Sequence, residues 1–282
     1  MRIERHAEVE AFLARAGAFL EEREAEHNLI FGLSSTLARD PNAYGSDPYL
    51  TTAEEDGRVV AAALRTPPHN LVLSESDDDH TWEAFAADAY AADAALGGVL
   101  VPTAGVAPFV ETWRGLTGAD ARQARSQRIY RVEDVSRVDE APGAMRAFAA
   151  DDRELALDWL EAFFEEEFGG PDAVAAERTL HNRTSDPAGG VVLWEDEGVP
   201  VSLAGFGGPT PNGIRIGPVY TPPELRRRGY ATALTAALTR ALLERHRFCF
   251  LFTDLANPTS NGIYMRIGYV PVADVEEWRF DY

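Results

Sequence analysis

The chain has 282 residues, with 46 acidic against 26 basic side chains and a formal charge of −20; at about 150 residues per domain this length fits two domains. An isoelectric point near 4.6 argues against a protein that holds nucleic acid by neutralising phosphates. No apolar run reaches the roughly 18 residues of a membrane span, and a single cysteine, Cys249, allows neither an internal disulfide nor a cysteine metal cluster.

All the basic residues are arginine. The missing lysine points first to a compositional bias such as a GC-rich genome, and only second to a salt-adapted host, because the charged fraction is an ordinary 26%. The start, Met1-Arg2-Ile3-Glu4-Arg5-His6, lacks the apolar core of a signal peptide. The expectation is a soluble, cytoplasmic, globular protein with no membrane or nucleic-acid partner.

In chain order, Met1 to Arg5 reads as a short strand. A helix follows with Phe12, Leu13, Ala16 and Leu20 on one stripe, then another around Leu29 to Leu37. Strands are expected at Tyr49–Thr52, Val59–Leu64 and Leu71–Leu73, a helix from Trp82 to Ala94, a strand at Val99–Val101, a helix near Pro108–Trp113 and a strand near Arg128–Val132. Between Val132 and Ala144 four acids surround a Pro142-Gly143 pair, the composition of a linker.

The second half repeats the series. Ala144 to Phe148 reads as a strand, and Leu155, Trp159, Leu160 and Phe163 as one helix face. A second helix is expected from Asp172 to His181, then strands at Val191–Trp194, Val201–Phe206 and Ile214–Tyr220 and a helix ending near Arg245. Phe248 to Phe252 is an unbroken apolar run, the pattern of a strand buried on both faces, followed by a short helix and terminal strands. Two matching series imply a duplicated α/β domain. The boundaries expected are residues 1–134, a linker at 135–143, and residues 144–282.

The chemistry concentrates between Gly213 and Tyr269. The strand Ile214 to Tyr220 is interrupted by Gly217-Pro218, and a proline without an N–H marks either a bulge or an edge strand. Next come Arg226, Arg227 and Arg228, then Gly229, immediately before a helix carrying Leu234, Leu238, Ala241 and Leu242 on one face. Positive charge is unfavourable at a helix N-terminus, so three arginines there suit a bound anion held by backbone N–H groups; a solvated basic turn is the alternative. The matching helix of the first half is preceded instead by Asp77-Asp78-Asp79, acids that satisfy a helix start without a ligand. Two nucleotide motifs are excluded, because the phosphate loop needs a Gly-Lys pair and the dinucleotide fingerprint needs three spaced glycines. Finally, Asn257-Pro258 fits a helix start and Gly268 its stop, with Ile263 and Ile267 on the buried stripe and Tyr264 one position off it.

These residues resemble the GNAT superfamily of acyl-CoA-dependent N-acyltransferases. Its pyrophosphate motif (Arg or Gln, two residues, Gly, one residue, Gly or Ala) is met by Arg226, Gly229 and Ala231, its bulged strand by Ile214 to Thr221, and its Asn…Tyr…Gly-Tyr signature by Asn257, Tyr264, Gly268 and Tyr269. The resemblance spans residues 144 to 282. It implies two GNAT-like domains, each a mixed, mostly antiparallel sheet flanked by helices, with the N-terminal copy degenerate.

It further implies that acetyl-CoA is the co-substrate, that Val219, Tyr220 and Thr221 pair with its pantetheine arm, and that Arg226, Arg227, Arg228, Gly229, Tyr230, Ala231 and Thr232 cradle its pyrophosphate. Asn257 would touch the cofactor or only cap the helix. Tyr264 would protonate the departing thiolate, and the acceptor would be a small-molecule or peptide amine. For the base, Glu165, Glu166, Glu167, Asp254 and a water chain stay open. Cys249 is expected to be a buried small hydrophobe, the six histidines show no metal-ligand spacing, and the oligomeric state is open between monomer and homodimer. An acyl-CoA-binding sensor without turnover is the alternative function.

Overall fold

The computed structural model describes every residue from Met1 to Tyr282. The first half contains β1 (Arg2–Arg5), α1 (Val9–Glu22), α2 (Asn28–Arg39), β2 (Tyr49–Glu55), β3 (Arg58–Arg65), β4 (Leu71–Leu73), α3 (Asp79–Ala92), β5 (Gly98–Pro102), α4 (Val106–Thr117) and β6 (Asp120–Val132). The second contains β7 (Ala144–Ala147), α5 (Arg153–Phe168), α6 (Ala173–Ser185), β8 (Gly190–Asp196), β9 (Val199–Gly207), β10 (Gly213–Tyr220), α7 (Tyr230–Leu243), β11 (Phe248–Asp254), α8 (Pro258–Ile267) and β12 (Val270–Asp281). The protein is a mixed α/β fold whose strand pairs are mostly antiparallel.

The chain forms two compact units. One comprises Met1–Ile129, Thr253–Asn257 and Val272–Tyr282; the other comprises Tyr130–Phe252 and Pro258–Pro271. In the first, the strand order begins β1-β2-β3-β4-β5 and continues with β12 and β6. In the second it is β7-β8-β9-β10-β11, read from the opposite edge. In both, the pair joining the fourth and fifth strands is parallel, Leu71 facing Val99 in one and Ile214 facing Cys249 in the other. The two halves therefore share topology as well as element order.

Each unit buries both faces of its sheet, and the period of two along a strand decides which side chain goes where. Ala61 and Ala63 join Trp82, Phe85, Phe109 and Trp113 under α3 and α4, while Ala62 and Leu64 join Phe12, Leu20, Ile30 and Leu37 under α1 and α2. In the second unit Ile214, Ile216, Cys249 and Leu251 pack with Leu234, Leu238 and Ile267 of α7 and α8. Leu193 and Leu203 face Ala156, Leu160 and Leu180 of α5 and α6.

The compact units divide the chain differently from the contiguous boundaries expected above. Val272–Tyr282 lies with the first unit because β12 pairs antiparallel with β5, from Val275 opposite Pro102 to Arg279 opposite Gly98. A bidentate ion pair from Arg128 to Asp274, at 2.6 and 2.7 Å, adds to that pairing. The segment 135–143 is packed into the second unit. Val135, Val138 and Ala141 lie against its core, Ser136 N–H donates to the Ile267 carbonyl at 2.8 Å, and Trp194 Nε1 donates to the Pro142 carbonyl at 2.8 Å.

Two local readings also shift. The buried line of α5 is Ala156 and Leu160, with Leu157, Trp159 and Phe164 partly covered, so the apolar face is rotated from the Leu155–Phe163 stripe. β6 begins eight residues before Arg128, because its first half, Asp120 to Gln127, is polar and carries no apolar alternation to mark it as a strand. The terminal segment is one strand, β12.

Candidate active site

The site begins where two parallel strands part. β10 pairs with β11 only from Gly213–Arg215 to Phe248–Phe250. On its other edge β10 follows β9 as far as Tyr220 opposite Leu203, with a register shift between Ile216 and Val219. Gly217-Pro218 is thus a bulge in an interior strand, which decides between the two readings of that dipeptide. Beyond Arg215 the β11-facing edge of β10 has no strand partner, so a wedge opens between them whose backbone groups can pair with an extended ligand.

The backbone at the wedge is held from behind. Ser202 Oγ lies 3.0 Å from the Tyr220 carbonyl and 2.8 Å from Thr221 Oγ1, and all three residues are buried. The Thr221 carbonyl accepts from Arg226 Nε at 2.8 Å, so the group expected to meet a pantetheine arm is already engaged. Val219 packs partly buried on the α7 core, and the Tyr220 ring sits 6.4 Å from that of Trp159.

After a single 3-10 turn, Pro223–Leu225, the chain reaches Arg226. Its guanidinium lies 5.6 Å from the Tyr220 ring centroid and donates to both carboxylate oxygens of Glu166 at 2.7 Å. Arg226 therefore ties the loop to the end of α5, and the two arginines left without an ion pair are Arg227 and Arg228, both exposed. Arg227 and Gly229 both have positive φ, 66° and 86°. Gly229 is the N-cap of α7 in the left-handed region and supplies no side-chain cap. The first intrahelical bond runs from Ala233 N–H to the Gly229 carbonyl at 2.9 Å, so the N–H groups of Tyr230, Ala231 and Thr232 have no acceptor within the helix. Tyr230 contributes backbone only, because its buried ring turns away and its hydroxyl donates to Asp196 at 2.6 Å.

Tyr264, on α8, is half-buried between Tyr269, at 6.0 Å edge to face, and Tyr130, at 6.5 Å. Burial, with the negative charge of Glu167, raises its pKa far above the ordinary phenol value, so it is a proton donor across the whole neutral range. Its neighbours are themselves fixed, Tyr130 donating to Asn261 Oδ1 at 2.9 Å and the Tyr269 hydroxyl lying 2.9 Å from that of Thr239. Asn257 precedes the helix and its N–H donates to the Asp254 carbonyl at 3.0 Å; Asp254 Oδ1 accepts from Ala256 N–H at 2.7 Å, a turn-forming role. Of the three glutamates, Glu166 holds Arg226, Glu167 acts on Tyr264 and Glu165 is exposed.

The Cys249 thiol is buried and its pKa is pushed up to about 12, which suits a small core residue rather than a nucleophile. No group of three or more His, Cys, Asp or Glu side chains could hold a metal ion, and no helix is long and apolar enough to cross a membrane. At the matching turn of the first unit, Asp78 caps α3 by accepting from His80 N–H at 3.0 Å. Ser202, Asp196 and the tie from Glu166 to Arg226 were not legible in the sequence, because each partner lies 18 to 60 residues away.

The comparisons agree with this geometry. Residues 154–269 match the Acetyltransferase (GNAT) family model, and no curated protein matches the sequence. Among solved structures, a Drosophila protein aligns over 99% of this chain and 98% of its own at 14% identity and a TM-score of 0.66. A GCN5-related N-acetyltransferase from Sphaerobacter thermophilus aligns over 98% and 95% at 19% identity and 0.59. A tandem GNAT protein from the clavulanic acid biosynthesis pathway aligns over 82% of both chains at 13% identity and 0.50. These likenesses extend the shared fold over the whole chain. The match gives residues 154–269 the character of a GNAT-type acetyltransferase domain, a fold that supports acyl transfer from acyl-CoA in general.

Proposed function

We propose that this protein is an N-acetyltransferase, moving an acetyl group from acetyl-CoA to a primary amine within a ternary complex, with the second unit performing the chemistry and the first a degenerate copy. The observation that carries the reading is the pairing of an opened strand with an uncapped helix start. The free edge of β10 past the Gly217-Pro218 bulge suits the amide groups of a pantetheine arm. The N–H groups of Tyr230, Ala231 and Thr232, with Gly229, Arg227 and Arg228 beside them, suit a pyrophosphate, and Arg226 shapes that loop. These residues fit the cofactor, whose thioester supplies the activated acyl group when bound.

Tyr264 holds its proton at Oη until the thiolate leaves, then donates it. The acceptor amine, with a reference pKa near 10.4 when alkyl, must shed a proton first. Solvent beside the acidic end of α5, at Glu165 and Glu167, is the route. Asn257 sets the start of α8 and through it the place of Tyr264. The protein is expected to work in the cytoplasm, as a monomer or homodimer, on an amine acceptor.

A screen of amines with acetyl-CoA, read as free thiol release, tests this directly. Amine-dependent thiol release supports the enzyme. CoA binding without release for any amine would instead establish an acyl-CoA sensor.

A further inference from the structure

The α5 and α6 face of the second sheet holds two arginines that the acyl-transfer reading does not use. Ile214 and Ile216 point to the α7 core, so Arg215 between them lies on the opposite face. Its Nε is buried without a hydrogen-bond partner. Its guanidinium carbon lies 4.9 Å from the Phe252 ring centroid, although its cross-strand partner is Phe250. The side chain therefore leans two residues along β11, from the paired end toward the opening of the wedge.

Arg183, on α6, reaches the same place. A Cβ built on Gly207 would stand 2.7 Å from Arg183 Nη1 and 3.3 Å from the Gly189 Cα, and Gly207 has φ 147°. Gly207 is the cross-strand partner of Arg215. Two bare glycines thus make room for one guanidinium beside another. Burial lowers the Arg183 pKa to about 10, helped by the positive charge of Arg215, and burial lowers that of Arg215 as well. Asp186 opposes this electrostatically, but neither arginine makes a salt bridge. Both arginines are half-buried; two like charges partly desolvated together are costly, and the pair with Asp186 beside it retains one net positive charge.

We infer that Arg183 and Arg215 form a subsite for a carboxylate of the acceptor, so that the substrate class is a short amino acid whose amine reaches the wedge while its carboxylate meets the two guanidinium groups. The net charge of the cluster matches a monoanion, and the fork of an arginine matches a carboxylate. Arg215 lies two strand residues, about 7 Å, from the Gly217 bulge, which sets the reach from carboxylate to amine. The inference rests on the acyl-transfer reading for the role of the amine, while the anion subsite stands apart from it.

Paired acceptors provide the test: glycine, β-alanine and γ-aminobutyrate, each against its carboxamide, with thiol release as readout. Wild type is expected to favour the best acid over its amide on the order of 10- to 100-fold in kcat/KM, the range of a charge-assisted contact. Arg215→Met and Arg183→Met should bring that ratio near one with CoA affinity unchanged, and Arg215→Lys should retain part of it. Because a desolvated like-charge pair is relieved, Arg215→Met should also melt at a higher temperature than wild type without ligand, which a structural arginine would not do.

Equal turnover of acids and amides by wild type would overturn the subsite and leave acyl transfer standing. If no acceptor turns over, the melting temperature in sodium succinate against sodium chloride of equal ionic strength decides. A rise that needs Arg215 keeps the subsite and removes the enzyme reading; no rise removes the subsite.

Discussion

The two units meet the same local problem, a helix start that follows a strand, with opposite solutions. At α3 the first unit closes the start with its own chain, Asp78 accepting from His80 N–H between two further acids. At α7 the second unit offers no side chain. Gly229 sits at φ 86°, and exposed arginines stand on the N-terminal side of it. A helix start needs acceptors for its free N–H groups. One unit carries them in its sequence; the other leaves them to solvent or to a bound anion. The two units share their topology, whereas the helix start without a side-chain cap occurs at α7 and not at α3.

Chemistry at Tyr264 gives the largest way to sharpen this comparison. Tyr264→Phe should lower kcat by about 10²- to 10⁴-fold, the usual range for a positioned acid, while CoA affinity by calorimetry stays within about twofold. Because burial raises its pKa, the phenol keeps its proton as pH rises through the alkaline range, so wild-type kcat should show no tyrosine-dependent loss up to about pH 9. An unchanged kcat in the variant would remove Tyr264 from the reaction.

At Gly229 the contrast can be broken by making α7 resemble α3. Gly229→Asp places a Cβ at a left-handed backbone position, costing about 1–2 kcal/mol, and a carboxylate where an anion is expected. CoA affinity should fall by about 100-fold or more, by about 3 kcal/mol in binding, with the fold retained. Titration calorimetry checks this, and an unchanged affinity would sink the assignment of the turn.

The first unit carries a pH dependence of its own. His27 is buried, its Nε2 accepts from Glu75 N–H at 3.1 Å and its Nδ1 therefore donates to the Leu20 carbonyl at 3.0 Å. That arrangement keeps it neutral, and burial lowers its pKa to about 4. Above about pH 6.5 both folded and unfolded forms are neutral; as pH falls from there to 4, only the unfolded chain takes up the proton. Stability should therefore drop by as much as about 3 kcal/mol over that window. In denaturant titrations at successive pH values, His27→Gln should flatten the slope attributable to this group.

The smallest effect belongs to the cap. Asp78→Ala should cost the first unit about 1 kcal/mol, measured by urea unfolding, and leave CoA affinity untouched. Altered CoA binding would show that the two helix starts are not independent.

How much of this was legible follows the range of each interaction. Gly217-Pro218, the Arg226–Gly229 turn, Tyr264 and the Asp77–Asp79 cap lie within one or two turns of chain, and their residue types carry their own backbone meaning. The role of Arg226 was not legible, because its carboxylate partner is 60 residues away and the exposed acid run holding it looks like any solvated helix end. The Arg183 and Arg215 cluster escaped for the same reason, its only sequence trace being glycines at 189 and 207. The apolar face of α5 is not plain in its sequence because several phenylalanines crowd its C-terminal end, where the Phe164 ring meets those of Phe163 and Phe168 and Phe168 is exposed.

By itself the sequence determined the duplicated element order, the interruption of a strand at Gly217-Pro218, the uncapped start of α7 and the place of Tyr264, since backbone preference and hydrophobic period act over neighbouring residues. Only the tertiary structure decided that Val272–Tyr282 belongs with the first unit, that Gly217-Pro218 is a bulge in an interior strand, that Val135, Val138 and Ala141 pack against a core, and that Arg183 lies beside Arg215. Strand pairing and charge burial join residues distant in sequence, and no local pattern specifies which partner will be found.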